Sequence, residues 1–456
     1  MGNTKNSTAT TPNATSIPDA IPQNSLIYGL DDRPPLREAL FAALQHLLAI
    51  FVAIITPPLI IAGALQADIE TTSTLVSTAL IASGISTFIQ CRRIGPVGCG
   101  LLCIQGTSFS FIGPIISAGL SGGLATVFGA CIVGSSVEIA ISRVLKYTKH
   151  IITPLVSGIV VTLIGMSLIK VGITACGGGQ EAIANNTFGS LRFVGLAALV
   201  LVSIIIFNRS SNRYLRMSSI VIGLAIGYIA AYLMGMIDFS TISGDKLLNL
   251  PHPFKYGLKF DPAAIIGLAL IYMITAIEAY GDIMANSLIS GQPVEGPIFV
   301  KRASGGIMGD GVGSLISGCL CCFPNSIFAQ NNGMIQLTGV ASRYVGYFIA
   351  AMLIILGLFP VIGTIFSLMP GPVLGGATLL MFGTVAAAGI KIIASQEINR
   401  KATLVIALSF SLGLSVELVP EILSQLPTTL KNLFSSGITT GGLTAILCNL
   451  VIRIKE

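Results

Sequence analysis

One polar stretch inside an apolar region is the part of this sequence best suited to bind a small molecule. It runs from Phe323 to Gly333 and contains a proline, a glutamine and three asparagines. Arg343 is the only charged residue between Asp310 and Lys391, so the stretch should lie at membrane depth. Non-helical backbone at that depth is tolerated only inside protein or beside a water-filled cavity. The stretch therefore predicts a binding site in a broken span.

The amides of this stretch have chemistry that suits a planar polar ligand. Gln330 can donate and accept hydrogen bonds at once, which matches the alternating edge of an imide. If residues 324–329 are extended, a helix begins near Gln330 and its free N–H groups face the cavity, where they would bind carbonyl oxygens. Asn331 either contacts the ligand or serves as a cap or an interhelical hydrogen bond. Thr338 and Gly339 are expected to serve packing and specificity.

Acidic residues also lie within apolar segments. Glu278 and Asp282 are four residues apart, so they share one helix face. A carboxylate at the bilayer centre costs about 3 kcal/mol or more unless it is paired or hydrated. Glu278 is therefore expected to be functional, and as a carboxylate it would offer a ligand only hydrogen-bond acceptors. Asp282 is equally well explained as a packing partner, and Glu138 is expected to pair with Arg143 or loop bases.

Three further polar residues fall at membrane depth. Asp310 is the only other acid expected well inside the core of the protein. Gln45 and His46 lie early in the first apolar segment, and we expect His46 to act indirectly, by holding the site or tuning a proton. The cysteines lack metal-site spacing and have no histidine nearby. We expect no metal and no cofactor.

An earlier segment, Gln105–Phe111, alternates polar and aromatic residues, as a short strand crossing the first stretch would. A phenylalanine there could stack on a flat ring, while backbone N–H groups beside Ser108 bind its oxygens. Phe109 and Phe111 would point the same way in a strand, so the pattern leaves both open.

The motif Gln330-Asn331-x-Gly333-x-x-x-x-Thr338-Gly339 resembles that of the nucleobase–ascorbate transporters, also called nucleobase:cation symporters of the second type. The strings Ser-Arg-Tyr-Val-Gly at 342–346 and Asp-Arg-Pro-Pro-Leu at 32–36 look closest to bacterial xanthine permeases. The resemblance extends from about residue 26 to the C-terminus.

This resemblance implies a role for each polar group. It makes Glu278 the acceptor for ring N–H groups of a nucleobase and Gln330 a direct ligand, with Asn331 shaping the site. It places the stacking aromatic near Phe109, which we favour over Phe111. The expected substrate-binding residues are Glu278, Gln330, Phe109, Asn331, Ser108 and Ala329. The expected proton-coupling residues are Glu278, Asp310 and His46. The expected supporting residues are Gln45, Asp282, Asn325, Gly333 and Thr338.

The elements that must position these residues are membrane helices. The chain is 53% hydrophobic and only 10% charged, against about 25% charged in soluble domains. Charge-free runs such as 94–137 and 344–390 exceed the roughly 20 residues that span a bilayer. Most of the 25 Lys and Arg residues lie in alternate short loops, which predicts both termini in the cytoplasm. The net charge of +6 therefore gives no reason to expect nucleic acid as a partner.

The pattern predicts an all-α polytopic protein with fourteen spans arranged as a 7+7 inverted repeat. Pro154, Gly158 and Gly165 recur 218 residues later, and the same offset relates the two broken spans, the third and the tenth. By family resemblance the spans form a core and a gate. The expected division is a disordered cytoplasmic tail 1–36, core 37–149 and 262–368, gate 150–240 and 369–456, and an extracytoplasmic loop 241–261.

The leading interpretation is a secondary transporter that imports a purine by proton symport, with the core moving against the gate. Xanthine is the first choice, and uric acid and uracil are the alternatives. An anion exchanger or channel of the same fold is the interpretation from a different class, and Glu278 and Asp310 disfavour it because they would repel an anion. We expect no enzymatic activity, a homodimer, and the inner membrane of a bacterium.

Overall fold

The computed structural model describes residues 26–148, 153–212, 215–216, 218–237, 248, 250–394, 396–426, 434 and 436–452. The helices of the first half are α1 Leu36–Ala64, α2 Ile69–Arg92, α3 Ile112–Thr148, α4 Pro154–Cys176, α5 Gly179–Ala184, α6 Leu191–Asn208 and α7 Ser219–Leu233. Those of the second half are α8 Pro262–Ile289, α9 Gly296–Cys319, α10 Gln330–Thr338, α11 Arg343–Leu358, α12 Pro360–Ser367, α13 Gly371–Ala394, α14 Arg400–Leu418 and α15 Gly437–Val451. Two strands, β1 Gln105–Thr107 and β2 Asn325–Ile327, interrupt them.

The helices confirm a multi-pass membrane protein. Among the described residues, eight helical stretches are long and apolar enough to cross a membrane, and α7, α11 and α15 are shorter apolar helices. The third and fourth predicted spans join in α3, which is interrupted at Gly123, where φ is 74°. The count of fourteen spans stays a prediction.

The two broken spans meet at a two-stranded antiparallel sheet. Gln105 pairs with Ile327, Gly106 with Ser326 and Thr107 with Asn325. A β-carbon on Gly106 would lie 2.5 Å from the ring of Phe328 and 2.8 Å from Ile54 Cγ1. The absence of a side chain at Gly106 therefore allows the close crossing of the two segments.

Helices α4 and α13, which carry the repeated prolines in their first turns, pack against each other through small residues. A β-carbon on Gly165 would lie 2.3 Å from the Ala386 backbone nitrogen, and one on Gly389 would lie 2.4 Å from that of Thr162. Such approach between backbones is typical of membrane helices. The contacts run in opposite chain directions, as expected for two halves of inverted topology.

The predicted disordered tail, residues 1–36, extends too far along the chain. Residues 1–25 lie outside the described residues, but residues 26–35 lie along the loop that follows α10. Ile27 and Tyr28 donate backbone hydrogen bonds to Gly339, and Ala341 donates one to Tyr28. The prediction of disorder for 26–36 is wrong because these bonds join residues more than 300 positions apart, which composition does not reveal.

Candidate functional site

A cavity of about 710 Å³ opens between the two broken spans and the α4–α13 pair. One wall comes from residues 108–110, 326–330 and the C-terminal half of α8, and the other from α4 and α13. Six of the predicted site residues line it, namely Ser108, Phe109, Glu278, Asp282, Ala329 and Gln330. The paired strands explain this, because residues 108–110 directly follow β1 and residues 328–330 directly follow β2.

The two carboxyl groups of α8 both face this cavity. Glu278 is half-buried, and Ser110 Oγ donates to its Oε2 atom over 3.3 Å. Asp282 lies one turn further along, and its Oδ2 atom is buried without a hydrogen-bond partner among the described residues. Glu278 thus keeps acceptor capacity for a ligand. The Asp282 residue lines the cavity, and its backbone carbonyl accepts from the Asn332 side chain of α10 over 3.3 Å.

The aromatic segment is a 3-10 turn over Phe109–Phe111, not a continuation of the strand. Phe109 lines the cavity, with its ring edge-on to Phe382 at 5.5 Å between centroids. Phe111 is fully buried against Tyr272, at 4.6 Å. The expectation that both rings point the same way is wrong, because a 3-10 turn separates residues two apart by about two-thirds of a turn.

Helix α10 begins at Gln330, as predicted from the extended segment before it. Gln330 and Ala329 are exposed to the cavity. The prediction that the first N–H groups are free is only partly right, since Asn331 donates to the Phe328 carbonyl and Asn332 to the Ala329 carbonyl. Tight 3-10-type bonds of this kind satisfy a helix start from within. The backbone N–H groups of Ala329 and Gln330 are therefore the candidates for binding a ligand at this helix start.

Asn331 points away from the cavity and into a buried network with α1. Its Oδ1 atom lies 2.8 Å from His46 Nδ1, and its amide donates to the Leu102 carbonyl over 2.5 Å. Thr338 Oγ1 lies 3.4 Å from the other ring nitrogen of His46. His46 thus joins both ends of α10 to α1. Gln45 is half-buried beside it, and Gly333 is exposed.

Replacing Asn331 with alanine should lower both stability and ligand affinity. The substitution leaves a ring nitrogen of the buried His46 without its partner, at about 1–3 kcal/mol. It also removes one of the two donors to the Leu102 carbonyl, which keeps the hydrogen bond from Asn286. We expect a fall in thermal unfolding temperature of several degrees together with weaker uptake. Gln336→Ala, on an exposed position of the same helix, is the control. Equal unfolding temperatures for the two variants would contradict the role of the network.

Asp310 lies behind the sheet, not in the cavity. Gln90 Nε2 donates to its Oδ1 atom over 2.8 Å, and Gln105 donates to the same oxygen. Asn325 of β2 forms a separate group of hydrogen bonds, since its side-chain amide donates to Ser86 Oγ and its backbone nitrogen donates to Ser314 Oγ, each over 3.1 Å. The hydrogen bonds of Asp310 therefore reach β1, and those of Asn325 hold β2 against α2 and α9.

Several residues of these networks were not predicted. Gln90 and Ser86 belong to α2, where Gln90 is the one long amide in a segment of small and apolar residues. Asn286 donates to the Leu102 carbonyl and to Asn332, which places α8 beside α10. Their signal was a long polar side chain within an apolar span, which must find a partner when buried.

Glu138 does not pair with Arg143. It is buried between α3 and α8, where Thr275 Oγ1 donates to its Oε1 atom over 3.1 Å. The expectation from the helix end is wrong because the side chain turns into the bundle, away from the basic residues.

Comparison with known proteins decides the family. A model described as "Permease family" (Xan_ur_permease) matches residues 37–422. The chain belongs to the nucleobase–ascorbate transporter family. Xanthine permease XanP of Escherichia coli is 51% identical, covering 95% of this chain and 96% of that protein. Xanthine permease XanQ of the same organism is 47% identical, covering 94% of each. Uric acid permease PucJ of Bacillus subtilis is 34% identical, covering 91% of this chain and 92% of its own length.

Two solved structures have the same fold as this protein although their sequence identity to it is low. The transmembrane domain of the cyanobacterial bicarbonate transporter BicA has a TM-score of 0.55 and 15% identity, covering 93% of this chain and all of that one. The murine anion transporter Slc26a9, in its inward-facing state, has a TM-score of 0.61 and 11% identity, covering 91% of this chain and 69% of that one. These similarities support the predicted fold class.

Proposed function

We propose that this permease imports xanthine together with a proton. The observation that carries the proposal is the single cavity wall on which Glu278 and Gln330 converge, with Phe109 beside them. Xanthine offers adjacent N–H donors and carbonyl acceptors on a flat ring. A carboxylate accepts from N–H groups, and a primary amide bonds both a donor and an acceptor. The xanthine permeases at 51% and 47% identity support this substrate.

The negative charge of Glu278 gives the reason for coupling transport to a proton. Moving an unpaired carboxylate through the bilayer costs several kcal/mol. Xanthine therefore binds to the charged Glu278, and the proton that travels with it neutralises the carboxylate before the loaded site moves. Asp310 is the second group in this account: it accepts hydrogen bonds from Gln105 of β1 and from Gln90 of α2. A change in its charge would therefore act on β1, which leads into the cavity wall that carries Phe109. His46 tunes the site indirectly, through Asn331.

The transport cycle follows from the division of the chain into two bodies. We propose that residues 37–149 and 262–368 form the core and that residues 150–240 and 369–456 form the gate. The cavity lies between the broken spans of the core and helices α4 and α13 of the gate, so movement between the bodies would alternate its access. A homodimer formed through the gates, cytoplasmic termini and the inner membrane of a bacterium complete the proposal.

Uptake of radiolabelled xanthine into cells without their own purine carriers tests the substrate. Saturable uptake that excess xanthine suppresses more strongly than uric acid or uracil would support the proposal. Preferential uptake of uric acid would change the proposed substrate to uric acid, as in the name of the permease PucJ at 34% identity. No uptake of any nucleobase, with the protein at the surface, would refute it.

Phe109→Ala should weaken xanthine binding while Phe109→Tyr keeps it. The ring lines the cavity, and aromatic stacking contributes about 0.5–1.5 kcal/mol beyond burial, so alanine should raise KM by roughly tenfold. Phe111, buried against Tyr272, offers a contrast: Phe111→Leu should lower stability more than it changes KM. The reverse order of KM effects would show that the wrong ring has been assigned.

A further inference from the structure

Two sequence strings that lie outside the cavity contact each other, although they are about 310 residues apart. The N-terminal clamp, defined as residues 26–35, lies along residues 339–343, immediately after α10. The backbone of Arg343 donates to the Leu30 carbonyl over 3.1 Å, and Ser342 Oγ donates to the Asp32 carbonyl over 2.6 Å. The contacts are thus both main-chain and side-chain.

Charged and aromatic side chains reinforce the clamp. Arg343 and Asp31 form an ion pair of 2.7 Å, and the Arg33 guanidinium lies 4.7 Å from the centre of the Tyr344 ring. Tyr28 donates to Glu38 in the first turn of α1, and this hydrogen bond raises the pKa of the tyrosine. The clamp therefore ties the end of α10 to the start of α1.

Helix α10 needs such support. It has nine residues, and helices below about 12 residues are marginal on their own. Its first residue is Gln330, in the cavity, and its last residue precedes Gly339, whose carbonyl accepts from both Ile27 and Tyr28. Helix α10 is about 13 Å long at 1.5 Å per residue. A rotation of the helix at its C-terminal end would therefore also move Gln330 at its start.

We propose that the N-terminal clamp is a positioning element that holds α10 so that Gln330 faces the ligand. This proposal rests on the proposed function for its effect on transport, but its effect on α10 does not depend on the substrate. Removing one clamp contact should loosen α10 first, and weaken ligand binding as a consequence, with less effect on turnover.

Ile27→Pro tests the clamp in the full-length chain, with Ile27→Ala as its matched control. Proline removes the N–H that bonds to the Gly339 carbonyl, whereas alanine keeps it, and both remove an exposed side chain. We expect faster backbone hydrogen exchange across 330–345 and roughly a fivefold rise in xanthine KM for the proline variant only. Vmax per molecule at the surface should stay within about twofold.

Charge reversal gives a second, independent test. Asp31→Arg and Arg343→Asp should each raise KM roughly threefold by placing like charges together, and the double variant should restore it. Unchanged hydrogen exchange in Ile27→Pro, or no rescue in the double variant, would overturn the clamp. Faster exchange without any nucleobase uptake by the unmodified protein would retain the clamp and refute the proposed function.

Discussion

Glu278→Gln is expected to abolish xanthine uptake while leaving the protein in the membrane. The substitution keeps the size of the side chain, but it removes the charge and replaces one of the two acceptor oxygens with an N–H donor, where we propose that ring N–H groups bind. Hydrogen bonds to a charged acceptor contribute about 1.5–3 kcal/mol each, so two of them correspond to a loss of more than about a hundredfold. Glutamine also cannot take up a proton. Uptake at several xanthine concentrations, normalised to surface abundance, measures the effect.

Glu138→Gln is the matched control for that prediction. It makes the same change in another membrane-embedded acid, which bonds to Thr275 between α3 and α8. Glutamine can keep that bond, so uptake should stay within about threefold of the unmodified protein. Equal losses in the two variants would mean that the effect reflects buried carboxyl groups in general, not a ligand at Glu278.

Gly106→Ala should disrupt the strand crossing and with it the cavity. Its new methyl group would lie 2.5 Å from Phe328 and 2.8 Å from Ile54, both buried. Overpacking in a close-packed region costs about 1–3 kcal/mol, and relief requires the two strands to separate. We expect a tenfold or greater loss of xanthine uptake, with the larger part in affinity.

Gly195→Ala provides the comparison for this glycine. It lies in α6, where a new β-carbon meets no heavy atom within 4 Å, so uptake and abundance should be unchanged. If Gly106→Ala binds xanthine as tightly as Gly195→Ala does, the strand crossing does not set the geometry of the site.

The sequence allowed the broken spans and the start of α10 to be predicted because their physical requirements are local. Proline, glycine and amides in an apolar run cannot continue a lipid-exposed helix, and this placed the breaks near 105–107 and 325–327. The acid at Glu278 was predictable for a similar reason, since its cost in a bilayer requires a wet or paired environment. Both signals arise within about ten residues of chain.

The remaining errors concern contacts between distant segments. Asn331 follows Gln330 directly, yet one turns into a network with His46 and the other into the cavity. That choice depends on how α1 packs against α10, which adjacent residues do not specify. The partner of Glu138, the network around Gln90 and the pairing of residues 26–35 with 339–343 were missed for the same reason.

The most direct test of proton-coupled xanthine transport uses purified protein in liposomes that contain a pH-sensitive dye. Addition of xanthine to the outside, without any imposed gradient, should acidify the interior of liposomes with the unmodified protein. Liposomes with Glu278→Gln should show no acidification. Xanthine accumulation with no change in internal pH would contradict the account, because the substrate would then cross without the proton that neutralises Glu278.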